Sequence, residues 1–202
     1  MATLNDLKPR FQARLRPMTA RLARAGVTAN QVTVAALLLS ILGGVLVAAA
    51  PAARWPLLLY PPLLFLRMAL NAIDGMLARE HGQASRLGAL LNELGDVIAD
   101  AALLLPLALV PGMPGALLVL LAFVAALVEF AGLLGPAVGG SRRYDGPFGK
   151  SDRAFFLGSL ALILAIFPRP GWGVDALLLA ALALGLATVW RRLAAALREG
   201  GA

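Results

Sequence analysis

Cysteine is missing from this 202-residue chain, which removes disulfides, iron–sulfur clusters and thiol nucleophiles from its chemistry. Histidine is nearly missing too: His81 is the one copy, set in a polar turn where most such side chains are solvated. Charged residues make up 14% of the chain against 60% hydrophobic, where a soluble globular chain is about half apolar and about a quarter charged. With a mean hydropathy of +0.81, the composition favours one integral membrane domain. No internal repeat, heptad array or low-complexity tail stands out. The net charge of +7 could suggest nucleic acid. Most basic residues lie just outside apolar runs, however, so they read as orientation signals and lipid-headgroup contacts, and nucleic acid is not an expected partner.

Six stretches, 30–50, 57–79, 87–110, 114–138, 152–167 and 172–190, are read as membrane spans, each needing about 20 apolar residues and the fifth being the shortest. The fold class expected is an all-α integral membrane protein: six transmembrane helices preceded by an N-terminal amphipathic interfacial helix. As a domain this is one unit over 1–202, with a juxtamembrane basic segment 1–29, a six-helix bundle 30–190 and a cytoplasmic tail 191–202. The leader carries Lys8, Arg10, Arg14, Arg16, Arg21 and Arg24 among Leu4, Leu7, Phe11, Leu15 and Leu22, suited to lie on anionic lipid. Pro9 and Pro17 are expected to break it into pieces. The apolar run after it is too long for a signal-peptide core, so cleavage is not expected. Pro61 and Pro62 should begin or kink the second span, and Pro106 should kink the third.

Orientation follows from the loops. Arg79, Arg86, Arg142, Arg143, Lys150, Arg153, Arg191, Arg192 and Arg198 share a side with the basic leader, whereas Arg54 and Arg169 take the other. The chain is therefore expected to be multi-pass in a bacterial-type inner (plasma) membrane, both termini cytoplasmic, with the polar turn 80–86 on the same side.

That turn sits inside the most informative stretch, residues 71–96, NAIDGMLAREHGQASRLGALLNELGD. Ionisable groups in a hydrocarbon slab persist only where they pair, meet water or do chemistry. Asn71, Asp74 and Ala78 share one helical face, and Gly88, Asn92, Asp96 and Asp100 recur every four residues on the next. Two polar stripes joined by a short turn must face each other or a common cavity.

Written as a pattern, the stretch is N-x2-D-G-x2-A-R-x8-G-x3-N-x3-D. It resembles the signature of the CDP-alcohol phosphotransferases (CDP-alcohol phosphatidyltransferases), in which an aspartate stands at each position occupied here by Asn71, Asp74, Asn92 and Asp96. The spacings agree, as do Gly75, Ala78, Arg79 and Gly88, and the likeness extends to GVTANQVT at residues 26–33. The resemblance implies that an alcohol oxygen attacks the lipid-side phosphorus of a CDP-linked lipid such as CDP-diacylglycerol, with CMP leaving. It implies divalent cations, Mg2+ or Mn2+, at Asn71, Asp74, Asn92 and Asp96, with Asp96 also accepting the proton of the attacking hydroxyl. CDP would lie against Asp74, Gly75, Ala78, Arg79 and Gly88, the small residues allowing close approach and Arg79 pairing with a phosphate. Arg142, Arg143, Lys150 and Arg153 are acceptor-phosphate candidates by position, against an alternative of ordinary positive-inside charge. A homodimer is implied in the same way. Two asparagines leave the constellation with two fewer negative charges, since a carboxamide offers a metal its oxygen and no charge.

Several polar residues invite structural roles. Arg67 lies about 10 Å deeper than Asp74, and Asp100 about 6 Å deeper than Asp96, so these two are expected to form a buried ion pair, with Glu129 a second possible partner for Arg67; Glu93 and Asp100 could also supplement the metal positions. Asp152 is expected to cap the fifth helix and residues 28–30 to start the first, while Asn30 and Thr33 could otherwise reach the pyrophosphate. Trp55, Trp172 and Trp190 suit interfacial belts, and Gly43 and Gly44 close helix packing. Three functions are compatible with this pattern: an active phosphotransferase; a relative that binds nucleotide-lipid without turnover, as scaffold or regulator; and a small transporter. The transporter lacks a matching constellation in the other half of the sequence. The acceptor alcohol is not written in these residues.

Overall fold

The computed structural model describes residues 4–167 and 170–200, excluding the side chains of residues 4–8. Arg169 and the side chains of Leu4, Leu7 and Lys8 lie outside the described residues. The described residues form eight α-helices: α1 (Leu4–Arg24), α2 (Ala29–Ala49), the single turn α3 (Trp55–Leu58), α4 (Tyr60–Glu80), α5 (Arg86–Leu104), α6 (Gly115–Leu133), α7 (Lys150–Ile166) and α8 (Trp172–Gly200). Short 3-10 turns follow α5 at Leu105–Leu109 and α6 at Pro136–Val138.

Local chemistry explains most of these boundaries. Thr28 caps α2 reciprocally with Gln31: the Gln31 N–H donates to Thr28 Oγ1 at 3.3 Å and the Thr28 N–H to Gln31 Oε1 at 2.9 Å, a capping box. Ser85 caps α5 by accepting the Gly88 N–H at 2.9 Å. Asp152 caps α7, its carboxylate accepting the Gly149 N–H at 3.0 Å. Pro61 and Pro62 fall in the first turn of α4, where a missing N–H has no helical acceptor to lose. Pro106 ends α5 in the 3-10 turn rather than kinking it.

Two further boundaries differ from expectation. Pro9 and Pro17 sit inside one continuous helix, α1; both are exposed, so the carbonyls they leave unbonded can meet solvent, and packing holds the helix together. The expected tail 191–202 is helical to Gly200, because no breaker follows Trp190 and Arg192, Ala195 and Ala196 are buried.

Among the described residues, four helical stretches are long and apolar enough to cross a membrane: Ala29–Ala49, Trp55–Glu80, Gly115–Leu133 and Trp172–Gly200. The helices α5 and α7, which correspond to the third and fifth expected spans, fall outside that set. The first carries Glu93, Asp96 and Asp100, and the second has 17 residues. Burial is nonetheless inverted along α5: Leu87, Leu90, Leu94 and Ile98 form an exposed stripe, Leu90 at 62%, while Asp96 is at 6% and Asp100 at 7%. Water does not favour that arrangement and lipid does.

The fold comprises two compact units, residues 1–39 with 65–96 and residues 40–64 with 97–202. In the first, Ala29, Val32, Ile73, Met76 and Leu77 form a buried core against which Leu15, Leu22 and Ala23 of α1 pack. In the second, Leu118, Leu121, Val124, Leu160, Leu178 and Ala181 are buried, with α6 packed on α8. Gly44 is a point of very close backbone approach in the second unit. A Cβ there would collide with the carbonyl oxygen of Ala102, the carbonyl that Pro106, having no N–H, cannot satisfy. Gly44→Ala is expected to destabilise the protein by about 1–3 kcal/mol, since the obstacle is backbone and cannot rotate away. A thermal unfolding scan in nanodiscs measures this, and an unchanged midpoint would show that the helices separate freely.

Candidate active site

The first unit brings the polar stripe of α4 against that of α5. Arg67, Asn71, Asp74 and Ala78 are spaced i, i+4, i+7 and i+11, hence one face; Gly88, Asn92 and Asp96 form the facing row. The contact joining them is an ion pair, with Arg67 Nη2 donating to Asp96 Oδ1 at 3.3 Å and both side chains buried. Asn71 and Asn92 lie half-buried, each one turn nearer the connecting loop than a member of that pair. Asp74 is buried next to Thr33 of α2, whose hydroxyl oxygen lies 2.9 Å from Asp74 Oδ2 and 3.0 Å from the Ala29 carbonyl oxygen. That hydroxyl has one proton to give, so it serves the two acceptors in turn.

The connecting loop is tied down. Gln83 accepts the Ala29 N–H at 2.7 Å and donates to the Val27 carbonyl at 3.3 Å, and Gly82 takes a positive φ of 67°. Arg79 is exposed and folds back along its helix, so that a Cβ on Gly75 would sit 3.0 Å from its Nη2. A Cβ on Gly88 would meet Asn30 Oδ1 at 2.6 Å. Both glycines therefore make room for polar side chains of the protein itself. Across α1, Arg16 grips the Glu80 carboxylate through two hydrogen bonds of 2.9 and 3.0 Å, an exposed contact of small energetic weight.

Fit to a divalent cation is a matter of donor chemistry. Among the described residues no group of three or more His, Cys, Asp or Glu could hold a metal ion. The hard oxygens present are the carboxylates of Asp74 and Asp96 and the carboxamides of Asn71 and Asn92, a donor set suited to Mg2+ or Mn2+.

The second unit holds another buried charge cluster, made from loop cations read as acceptor-phosphate candidates together with Asp100 and Glu129. Arg153 Nε donates to Asp100 Oδ2 at 2.7 Å, its Nη2 to Glu129 Oε1 at 2.6 Å and its Nη1 to the Phe148 carbonyl at 3.3 Å. Arg142 reaches Glu129 Oε2 at 3.3 Å and lies over the Tyr144 ring, 4.6 Å from its centroid. Arg192 donates to the Val128 carbonyl at 2.6 Å and the Asp145 carbonyl at 3.2 Å, close to Glu129. Asp100 thus pairs with Arg153, and Glu129 pairs with Arg153 and Arg142. Of the four loop cations, Arg153 is buried, Arg142, Arg143 and Lys150 half-buried. Sequence reasoning missed Arg192, because a basic residue after an apolar run reads as a membrane-edge charge. Its spacing of four from the buried Thr188 was the available signal.

Arg143 clasps the loop to the end of α8. It donates to both carboxylate oxygens of Asp145, at 2.9 and 3.1 Å, and to Glu199 at 2.6 Å. The Arg143 hydrogen bonds hold Asp145 below the ordinary carboxylate value. A lowered pKa in the folded state gives a contribution that is whole above the unfolded value and lost as pH falls through the folded one. Hydrogen exchange over residues 141–149, corrected for intrinsic rate, should therefore quicken as pH falls below the ordinary aspartate value of about 4. Unaltered protection would mean that this clasp does not order the loop.

Comparison with known proteins agrees with the motif. The model of the CDP-alcohol phosphatidyltransferase family matches residues 26–191. Inner membrane protein YnbA of Escherichia coli (strain K12) is 52% identical over 167 residues, covering 83% of each chain. Two crystal structures of Mycobacterium tuberculosis phosphatidylinositol phosphate synthase (PgsA1) share the fold. The one with CDP-DAG bound has a TM-score of 0.76 at 19% identity, covering 92% of this chain and 94% of that one. The one in complex with manganese and citrate has a TM-score of 0.74 at 19% identity, covering 92% and 90%. With the signature on the facing helices α4 and α5 and the family match running from the start of α2 into α8, the chain is a member of the CDP-alcohol phosphatidyltransferase family.

Proposed function

We propose that the protein transfers a phosphatidyl-type group from a CDP-linked lipid, such as CDP-diacylglycerol, to an alcohol acceptor in phospholipid biosynthesis. The observation that carries this is the buried, individually partnered pair Asp74 and Asp96 at one end of the α4–α5 hairpin, the two acids the motif retains. In the reaction the acceptor hydroxyl oxygen bonds to the lipid-side phosphorus, the bond from that phosphorus to the bridging oxygen breaks, and CMP leaves. Asp96 takes the hydroxyl proton. Arg67 orients the Asp96 carboxylate, and Thr33 does the same for Asp74. Arg79, exposed at the end of the stripe, swings from Gly75 to the pyrophosphate, and once Asn30 turns aside from Gly88 as well, Gly75, Ala78 and Gly88 leave the nucleotide room. A divalent cation held by Asp74, Asp96, Asn71 and Asn92 would supply charge neutralisation of the phosphoryl oxygens. Arg142, Arg143 and Lys150 receive an acceptor phosphate, with Arg153 behind them.

The setting is the inner leaflet of a bacterial-type inner membrane. The outward stripe Leu87, Leu90, Leu94 and Ile98 supports α5 as a span, and α7 with it, for six in all with both termini cytoplasmic. The basic face of α1, with Arg10, Arg14, Arg21 and Arg24 exposed, suits anionic lipid. One domain and a homodimer complete the proposal. Binding without turnover is the second reading, favoured by the guanidinium already seated on Asp96. The test is CMP release from nanodiscs given CDP-diacylglycerol and a panel of alcohols, with lipid mass spectrometry after overexpression and deletion. A new headgroup lipid and stoichiometric CMP are expected. Saturable CDP-lipid binding with no CMP for any acceptor or metal would favour the second reading.

A further inference from the structure

The loop after α6 is shaped by its own bonds. The Arg143 N–H donates to the Gly132 carbonyl and the Gly140 N–H to the Gly135 carbonyl, each at 3.0 Å. Gly132 and Gly135 are buried, and a Cβ on either would collide with loop backbone, at the Arg143 and Ser141 carbonyls respectively. Asp145 holds one edge of the Arg143 guanidinium through two hydrogen bonds of 2.9 and 3.1 Å. Arg143 Nη1 and the Ser141 hydroxyl are left to converge on one atom, Glu199 Oε2, to which they donate at 2.6 and 3.0 Å. The Ser141 main-chain N–H bonds the same carboxylate. Gly140 borders the spot, since a Cβ there would lie 3.1 Å from Glu199 Oε2.

The occupant, in contrast, comes from outside the loop. Glu199 stands in the last turn of α8, where helix carbonyls present partial negative charge and disfavour a carboxylate. Its side chain is 40% exposed against 22% for Arg143, so it can leave for solvent while the donors keep their places. Contact between the helix end and the loop does not depend on it: a Cβ on Gly200 would collide with the Val138 carbonyl. Glu199 is therefore a tethered anion, kept near its donors at a high effective concentration. A guanidinium, a hydroxyl and a main-chain N–H around one carboxylate also suit a phosphate monoester, which brings more charge and more acceptor oxygens.

We propose that Ser141 and Arg143 form an anion site for a phosphate monoester, which Glu199 fills until such a group displaces it. The consequence for turnover rests on the acceptor reading above, with Arg143 reaching the acceptor phosphate once Glu199 withdraws. Phosphate binding itself does not depend on that reading.

The experiment is calorimetric titration of inorganic phosphate into the full chain in phosphatidylcholine nanodiscs. E199A should bind phosphate about tenfold more tightly than wild type, because a tethered competitor is gone. E199Q, which loses the charge and keeps an acceptor oxygen, should fall between the two. R143Q/E199A should lose the gain and S141A/E199A part of it. If Glu199 only braces the loop, E199A binds phosphate no more tightly than wild type, and that result overturns the proposal. A gain that survives in R143Q/E199A overturns it too, as does a lack of phosphate binding in the folded Glu199 variants. Should E199A not fold, E199Q against wild type decides. Nanodiscs containing phosphatidic acid, a lipid phosphate monoester, separate two sources of the ligand: a gain abolished there assigns the site to a lipid, and a gain retained assigns it to a soluble phosphorylated alcohol. Tighter phosphate binding in E199A with no CMP from any phosphorylated alcohol would leave the site standing and end the transferase reading. CMP release with unchanged phosphate affinity would do the reverse.

Discussion

Asp96→Asn is expected to lower CMP release by about 10²- to 10⁴-fold, the range typical of losing a positioned proton acceptor. The substitution is nearly isosteric, and the carboxamide oxygen still accepts from Arg67, so the geometry of the α4–α5 contact survives better than the chemistry. Some stability is lost as well. Removing one partner of a buried ion pair costs about 3–5 kcal/mol when nothing replaces it, and the retained hydrogen bond should keep the loss below that. Three measurements separate the effects: monodisperse elution, saturable CDP-lipid binding and the rate of CMP formation with saturating lipid. A folded, lipid-binding variant that no longer releases CMP marks Asp96 as the proton acceptor. Undiminished turnover would remove it from the chemistry, and Arg67 would then be a structural partner of Asp96 only.

Much of this arrangement can be read from spacing alone. Periods of four on α5, the polar loop and the Thr28, Asp152 and Pro61–Pro62 boundaries depend on interactions local in sequence, and local rules found them. The contact of Arg67 with Asp96 could not be found in this way. Helical rise places Arg67 and Asp100 at comparable depth, but an arginine side chain spans a full turn, so its register against the facing helix is undetermined by about 6 Å. Arg67 reaches Asp96, one turn shallower, and Arg153 from α7 reaches Asp100. Arg153 itself looked like a loop cation. Nothing short of the fold reveals that a residue three positions into a helix points at two carboxylates from α5 and α6. The continuity of α1 through Pro9 and Pro17 is similar: the propensity argument is sound for an isolated helix, and Leu15, Leu22 and Ala23 packed on the first core outweigh it.

Arg153→Met is expected to be the most destabilising single change in the second unit, costing about 3–5 kcal/mol. Methionine fills most of the volume and donates nothing, so Asp100 and Glu129 lose bonds of 2.7 and 2.6 Å at sites with almost no solvent, and the Phe148 carbonyl loses a donor too. Glu129 retains Arg142 at 3.3 Å, which is why Asp100 should account for the larger share. Pairing the substitution with Asp100→Asn removes both charges and should recover part of the loss, because the penalty lies in a stranded ion rather than in a missing attraction. Arg153→Lys keeps the charge but cannot bridge two carboxylates and a carbonyl from one planar fork, so its unfolding midpoint should fall between those of wild type and the methionine variant. The same lysine variant weighs the two roles open to this residue. If Arg153 braces the loop that presents Arg142 and Lys150, the midpoint falls and the acceptor KM rises together. If it touches the acceptor phosphate directly, KM rises while the midpoint stays where it was, and the buried cluster would have to rest on Arg142 and Arg192 instead.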